Sequence, residues 1–235
     1  MPPSTTAGAF VRGLGLIVSV PSVVLFATAL GFGALAREGG FDFGHAVFLS
    51  AIVFALPNQM VLIDQLMRGA TVAGAALAVT LTAVRLMPMT VTLVPLFQGE
   101  KRRPLLETLA AHFIAISTWI EGHRRLPTMP VALRLPFHFG AGVAMACMML
   151  SGTITGYLLV AGVPALVTAA LLFMTPLYFI LSLIATSRST MDMAAVAIGC
   201  GLSPILYLVM PGFDLLATGL VGGTLAYLVG RRFRS

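Results

Sequence analysis

The chain has 235 residues, of which 58% are hydrophobic and only 9% are charged. Soluble domains usually carry about 25% charged residues, so this composition excludes an ordinary soluble domain and predicts one integral membrane domain over residues 1–235. The net charge of +6 sits in clusters at the ends of apolar runs, which is typical of orientation by cytoplasmic Lys and Arg. This distribution is not that of a nucleic-acid-binding surface, so we predict no nucleic-acid partner.

Apolar runs of about 17–25 residues, the length of a membrane-crossing helix, follow one another along the chain. The first run exceeds a signal-peptide core of about 7–15 residues, so we interpret it as an uncleaved span. The predicted spans cover about residues 11–36, 44–67, 70–97, 135–161, 163–186, 190–210 and 212–230.

The segment at about 105–123 is less apolar, and basic loops flank it on both sides. If it crosses the membrane there are eight spans, with nine Lys and Arg inside and four outside. If it does not cross there are seven, with eleven inside and two outside. The stronger bias favours seven spans with the N-terminus outside. We therefore predict an all-α polytopic bundle of about seven spans, with eight possible, broken helices and one re-entrant or interfacial helix at 105–123.

Two predicted spans carry polar residues at mid-membrane depth. Pro57, Asn58 and Gln59 interrupt the second span, and Arg85 interrupts the third. Hydrocarbon offers no water to an unpaired polar group, so these residues have to face protein or a cavity. Because broken helices with polar groups near the midplane form the substrate sites of many secondary transporters, we predict that both breaks line a translocation path.

Arg85 is the most informative of these residues, since a charge at a span centre costs at least about 2.5–3.5 kcal/mol on insertion scales. Its planar guanidinium suits bidentate binding of a substrate carboxylate. The alternative is a structural Arg paired with Asp64 or with carbonyl groups beside Pro88. Asn58 and Gln59 have two interpretations as well: they bind substrate, or they satisfy the helix that the preceding proline breaks.

Asp64 and His112 are the candidates for proton coupling. Asp64 lies near a span end, where a solvated position or a pair with Arg68 is the alternative. His112 can titrate near neutral pH, although a lone His in an apolar helix is more often a hydrogen-bonded scaffold residue. The sequence has no CxxC, H-E-x-x-H, P-loop or GxSxG motif, so we predict no metal, no cofactor and no enzymatic activity.

Four short patterns occur in order along roughly residues 15–230. They are Pro21 with Gly31-Phe-Gly33-Ala-Leu-Ala36 and Gly39; Ser50, Phe54-Ala55 and Gln59 with Arg68-Gly69-Ala70; Val84-Arg85 with Leu93 and Pro95; and Ser151-Gly152-Thr153 and Gly156 with Pro211 and Gly219–Gly223. In order and spacing they resemble the AzlC-type branched-chain amino-acid permease family. The chain departs from the family pattern at Ala83, at Leu56-Pro57 and in lacking an Asp-Glu pair after the basic loop.

The resemblance implies a permease subunit of the bacterial inner membrane that exports small hydrophobic amino acids by alternating access. It also implies a small AzlD-type hydrophobic membrane subunit as a partner. In this interpretation Arg85 holds the substrate carboxylate, while Gln59 and Asn58, with unwound backbone near Pro57, hold the amino group or gate the path. The alternatives are export of another small metabolite, and a non-transporting membrane subunit that assembles with a partner.

Overall fold

The computed structural model describes residues 5–97, 103–159, 190–209 and 217–232, together with isolated positions between 164 and 177. Within these ranges the regular structure is helical, with no strand, and this confirms the predicted all-α class. The predicted span at about 163–186 and the loop at 98–102 lie outside the described ranges.

The described parts of the chain contain eleven α-helices, and several are short because the chain breaks between them. In chain order they are α1 Thr6–Leu14 (continued by the 3-10 turn Gly15–Val18), α2 Val20–Glu38, α3 Phe43–Ile52, α4 Leu56–Met67, α5 Val72–Ala83, α6 Leu86–Phe97, α7 Pro104–His112, α8 Ile116–Arg125 (continued by the 3-10 turn Leu126–Thr128), α9 Val131–Leu159, α10 Thr190–Val209 and α11 Gly223–Arg232, which the π-helical turn Thr218–Gly222 precedes. By length and composition α2 and α9 suit a bilayer crossing, and the bent pair α5–α6 makes a third candidate.

Helices α1 and α2 lie parallel to α9 along a seam of glycines. Gly140 abuts the backbone of Phe10 near the beginning of both elements, and Gly156 abuts the backbone of Leu30 near their ends. A Cβ at either glycine would overlap the facing carbonyl oxygen, so only glycine permits this separation. Gly33 makes the same kind of contact with the backbone of Thr153 and Tyr157 on α9.

The parallel seam defines two ends of the bundle. We call the end where α1 and α9 begin the near end, and the end where α2 and α9 finish the far end. At the far end, Arg37 on the last turn of α2 donates to the carbonyl oxygens of Tyr157 and Leu158 at 2.9 and 3.3 Å. The N-terminus therefore shares its end with the loop before α9, whereas the sequence-based arrangement put these two on opposite sides.

Helices α3 and α4 form a hairpin that enters from the far end. The ring of Phe43, at the start of α3, lies 5.3 Å from that of Tyr157. Met67, at the end of α4, packs against Gly39 at the end of α2. Both ends of the hairpin are thus at the far end, and its tip is the non-helical segment 53–55.

A side-chain contact across the hairpin confirms that the chain turns back. The hydroxyl of Ser50 on α3 donates to Oε1 of Gln59 on α4 at 3.3 Å. In a continuous helix, nine residues would separate these positions by about 13 Å along the axis. The prediction of a single, interrupted span over about 44–67 is therefore wrong, because the break before Pro57 reverses the chain.

The pair α5–α6 runs from the far end to the near end with a bend of 49° between its two helices. Its last turn lies beside the beginning of α9, where Arg134 donates to the Leu96 carbonyl at 3.1 Å and the ring of Phe97 lies 4.7 Å from that of His138. The bend falls at Val84 and Arg85, where the sequence predicted an interruption.

Helices α7 and α8 form a second hairpin, which enters from the near end. Along α7, the Ala110 carbonyl lies 3.1 Å from Nε2 of His138. The chain turns back at 113–115, and α8 then returns along α6, with Trp119 donating to the Thr92 hydroxyl at 2.9 Å. The segment predicted as re-entrant thus does fold back on the side from which it enters.

The two hairpins meet between the near end and the far end, where the rings of Phe54 and Phe113 at their tips lie 5.7 Å apart. Residues 6–67 and 72–125 are therefore two units with the same plan: a broken crossing element, then a hairpin that enters from the end where the crossing finishes. The two units run in opposite directions, which is the inverted arrangement found in many secondary transporters.

Candidate functional site

Four interruptions of helical structure converge on one cavity between the two units. They are the turn before α2, the hairpin tip 53–55, the α5–α6 bend and the hairpin tip 113–115. The cavity has about 700 Å³ of empty space including its open mouth. It is lined by Pro21, Val24, Leu25, Phe54, Ala55, Leu56, Pro57, Arg85, Leu86, Met89, Ala115, Ile116, Ser117 and Met149.

Arg85 brings a cation to this cavity from the α5–α6 bend. Its Nη2 donates to Oδ1 of Asn58 at 3.3 Å. Within the described ranges no carboxylate lies within 4.0 Å of the guanidinium, and Asp64 pairs with Arg68 instead. Because a guanidinium has five N–H donors, a single amide contact leaves most of its hydrogen-bonding capacity available to a ligand.

Asn58 lies behind the cavity wall, in the first turn of α4, and is 5% exposed. Its contribution to the site is the contact with Arg85, because it does not itself line the cavity. Pro57 does line the cavity, at the N-terminus of the same helix. The amide thus links the tip of the first hairpin to the bend of the next crossing element.

Gln59 is fully buried and holds the break together. Its Nε2 donates to the Val53 carbonyl at 2.5 Å, and its Oε1 accepts from Ser50. Ser50 lies 2.7 Å from the hydroxyl of Thr153 on α9. These contacts satisfy the carbonyl that the break frees, which is one of the two roles that the sequence left open for Gln59. Its contact with substrate stays a prediction.

Asp64 and His112 lie away from the cavity. Asp64 is in the last turn of α4, where both carboxylate oxygens lie 2.9 Å from Nε of Arg68 on the exposed surface. His112 is exposed at the end of α7, with its ring 5.3 Å from that of Phe113. Neither residue lines the site, and their part in proton coupling stays a prediction.

Sequence reasoning missed the second hairpin tip. The segment Phe113-Ile114-Ala115 contains no proline or glycine, so nothing in it signals a break. The signal lies one step later, in the Ser-Thr pair at 117–118. Thr118 accepts from the Ala115 N–H at 2.9 Å and donates to the Phe113 carbonyl at 2.6 Å, which is the local bonding by which a threonine begins a helix.

Apart from Arg85 and Ser117, the described residues of the cavity wall are apolar. Val24 and Leu25 come from α2, Leu86 and Met89 from α6, and Met149 from α9. Such side chains favour an apolar group of the ligand, since burial stabilises by about 25 cal/mol per Å² of apolar surface. The cavity therefore offers one cation, unwound backbone at two hairpin tips and an apolar wall.

Broken crossing helices and opposed hairpins around a central cavity define the chain as a polytopic membrane protein of the transporter class. The sequence model of the AzlC protein family matches residues 21–163, a range that contains both hairpins, the α5–α6 bend and α9. The match covers more than half of the 235 residues, and the chain belongs to the AzlC family of multi-pass membrane permeases. Searches of curated proteins and of solved structures found no match.

Proposed function

We propose that the protein is a permease subunit of the bacterial inner membrane that exports small hydrophobic, branched-chain-like amino acids by alternating access. The observation that carries this proposal is the Arg85 guanidinium in an apolar cavity, with no carboxylate partner in the described parts of the chain. Membership of the AzlC family supports transport as the activity.

In this mechanism Arg85 binds the substrate carboxylate through charge-assisted N–H···O bonds. The branched side chain packs against Leu86, Met89 and Met149, and the amino group bonds to carbonyl groups of the unwound segment 53–55. Asn58 orients the guanidinium. The two hairpins, entering from opposite ends, supply the gates that open the cavity to one side at a time.

Efflux of leucine from cells preloaded with a leucine dipeptide tests the proposal. Arg85→Gln removes the cation, so we expect leucine efflux to fall to the level of cells without the protein while membrane insertion is unchanged. Arg68→Gln, which removes an exposed Arg outside the cavity, is the matched control and retains efflux. Efflux by Arg85→Gln at the wild-type rate would refute the assigned role.

One observation favours a second substrate class. Among the described residues no acidic side chain lines the cavity, so the ammonium group of an amino acid meets no charged partner from this part of the chain. A small apolar carboxylate without an amino group would meet the same Arg85 and the same wall. Parallel efflux assays with leucine and with 4-methyl-2-oxopentanoate distinguish the two classes, because the side chains are identical and only the amino group differs.

We also propose that the chain works with a small AzlD-type hydrophobic membrane subunit, as its family resemblance implies. Co-expression of a tagged chain with such a subunit from the neighbouring gene, followed by purification, tests the pair. Efflux that requires both chains would support a two-subunit permease. Stable assembly with no transport of any tested substrate would support the non-transporting alternative.

A further inference from the structure

Helix α8 begins at the cavity without a capping side chain. Ala115, at the N-cap, has an extended backbone (φ −128°, ψ 172°) and lines the cavity together with Ile116 and Ser117. The Ala115 carbonyl receives the N–H of Trp119 at 2.8 Å, so the N–H groups of residues 116 and 117 come before the first bond of the helix. Uncapped N–H groups and the helix dipole together attract an anion.

The Ser117 side chain supplies an independent sign of a ligand. Ser117 is only 5% exposed, it lines the cavity, and within the described part of the chain its hydroxyl has no hydrogen-bond partner. Its neighbour Thr118, by contrast, bonds to the backbone of Phe113 and Ala115. The Ser117 hydroxyl is therefore an unpaired donor and acceptor at the cavity wall, and a bound molecule can complete its hydrogen bonding.

We propose that Ser117 and the N-terminus of α8 form the second half of an anion site whose first half is Arg85, and that a substrate carboxylate bridges the two. The inference rests on the proposed function insofar as the cavity takes a carboxylate. Both halves line the same cavity, and no described residue of its wall is acidic. One carboxylate oxygen would accept from the guanidinium, and the other from the Ser117 hydroxyl and the backbone N–H groups beside it.

The bridge has a structural consequence. Arg85 is tied through Asn58 to the tip of the first hairpin, whereas Ser117 belongs to the tip of the second. A carboxylate between them would connect the two inverted units through the ligand itself. Ligand binding would thereby be coupled to the relative position of the hairpins.

The test is a calorimetric titration of the purified full chain in detergent with L-leucine. For Ser117→Ala we expect the affinity to fall about tenfold or more, as for loss of a hydrogen bond to a charged group. Ser117→Thr keeps a hydroxyl at this position, so we expect it to bind L-leucine with the wild-type affinity. The control is Ser151→Ala, an exposed serine that bonds within α9, and it binds as the wild type does.

A merely structural role for Ser117 would lower the melting temperature of the ligand-free protein without changing the preference for carboxylates. We therefore also measure unfolding, and the ratio of leucine to leucinamide affinity. Unchanged leucine affinity in Ser117→Ala, or an equal loss for leucine and leucinamide, overturns the proposal.

The same titration with 4-methyl-2-oxopentanoate separates this inference from the proposed function. If the oxo acid binds and leucine does not, and Ser117→Ala weakens that binding, the result supports the anion site and overturns the proposal of amino-acid transport. If neither carboxylate binds the wild-type protein, both proposals are overturned.

Discussion

Gln59 shows how a single side chain stabilises a broken helix. The break before α4 removes the Val53 carbonyl from the helical hydrogen bonding, and the buried amide of Gln59 donates to it beside the Ala55 N–H while its oxygen accepts from Ser50. A buried polar group without a partner costs about 1–3 kcal/mol. The same residue type therefore serves the fold at position 59 whether or not a substrate approaches it.

We expect Gln59→Leu to lower the free energy of unfolding by about 1–3 kcal/mol, because it removes two hydrogen bonds of a buried side chain, each worth about 0.5–1.5 kcal/mol: one to the Val53 carbonyl and one from the Ser50 hydroxyl. Thermal unfolding in detergent measures the effect. Gln65→Leu, a half-buried glutamine further along α4, is the matched control and should change the stability little. If both variants unfold at the wild-type temperature, the bonding assigned to Gln59 is wrong.

The glycine seam is the next larger feature, at the level of whole helices. A Cβ at Gly156 would overlap the backbone of Leu30, whereas Gly199 on α10 has no atom within 4 Å of the same position. We expect Gly156→Ala to destabilise the fold by about 1–3 kcal/mol, as overpacking does. Gly199→Ala should be neutral or stabilising. Equal melting temperatures for the two variants would contradict the seam.

Whether the sequence predicts an interruption of a helix depends on whether a proline or a charged residue marks it. Pro57 and Arg85 stand out in apolar runs, so both interruptions are predictable. The break at 113–115 is not, because Phe-Ile-Ala suits a helix. The break is stabilised instead by the packing of Phe113 against α9 and by the hydrogen bonds of Thr118, which follows the segment. The distinction between a span and a hairpin at 43–67 is also hidden, since ten and twelve apolar residues in series have the length of one crossing. The contact between Ser50 and Gln59 that separates the two is not local.

At the scale of the whole molecule, the arrangement of ends predicts the orientation. Among the described residues the near end carries Arg12, Arg103, Arg124, Arg125 and Arg134, and the far end carries Arg37 and Arg68. Positively charged loops favour the cytoplasm. The near end, and with it the N-terminus, is therefore expected to be cytoplasmic, while both basic loops keep the side that the sequence predicted.

Single cysteines in a chain without Cys147 and Cys200 test this orientation in intact cells. We expect Glu38→Cys and Ala70→Cys, which flank the first hairpin, both to react with a membrane-impermeant maleimide from outside. Thr128→Cys, before α9, should react only after the cells are opened. Labelling of positions 38 and 70 from opposite sides would mean that residues 43–67 cross the membrane as one span.

The unbroken helix α9 sets a limit on how such a molecule can move. Its 29 residues extend about 43 Å, longer than the roughly 30 Å of hydrocarbon in a bilayer. Along the seam with α1 and α2, backbone meets backbone, so no flexible side chain is left to absorb sliding. Helices α1, α2 and α9 should therefore move as one rigid body, and the distances between spin labels on them should stay constant through a transport cycle. Any rocking motion would then be a movement of the two hairpins, α3–α4 and α7–α8, relative to this rigid body.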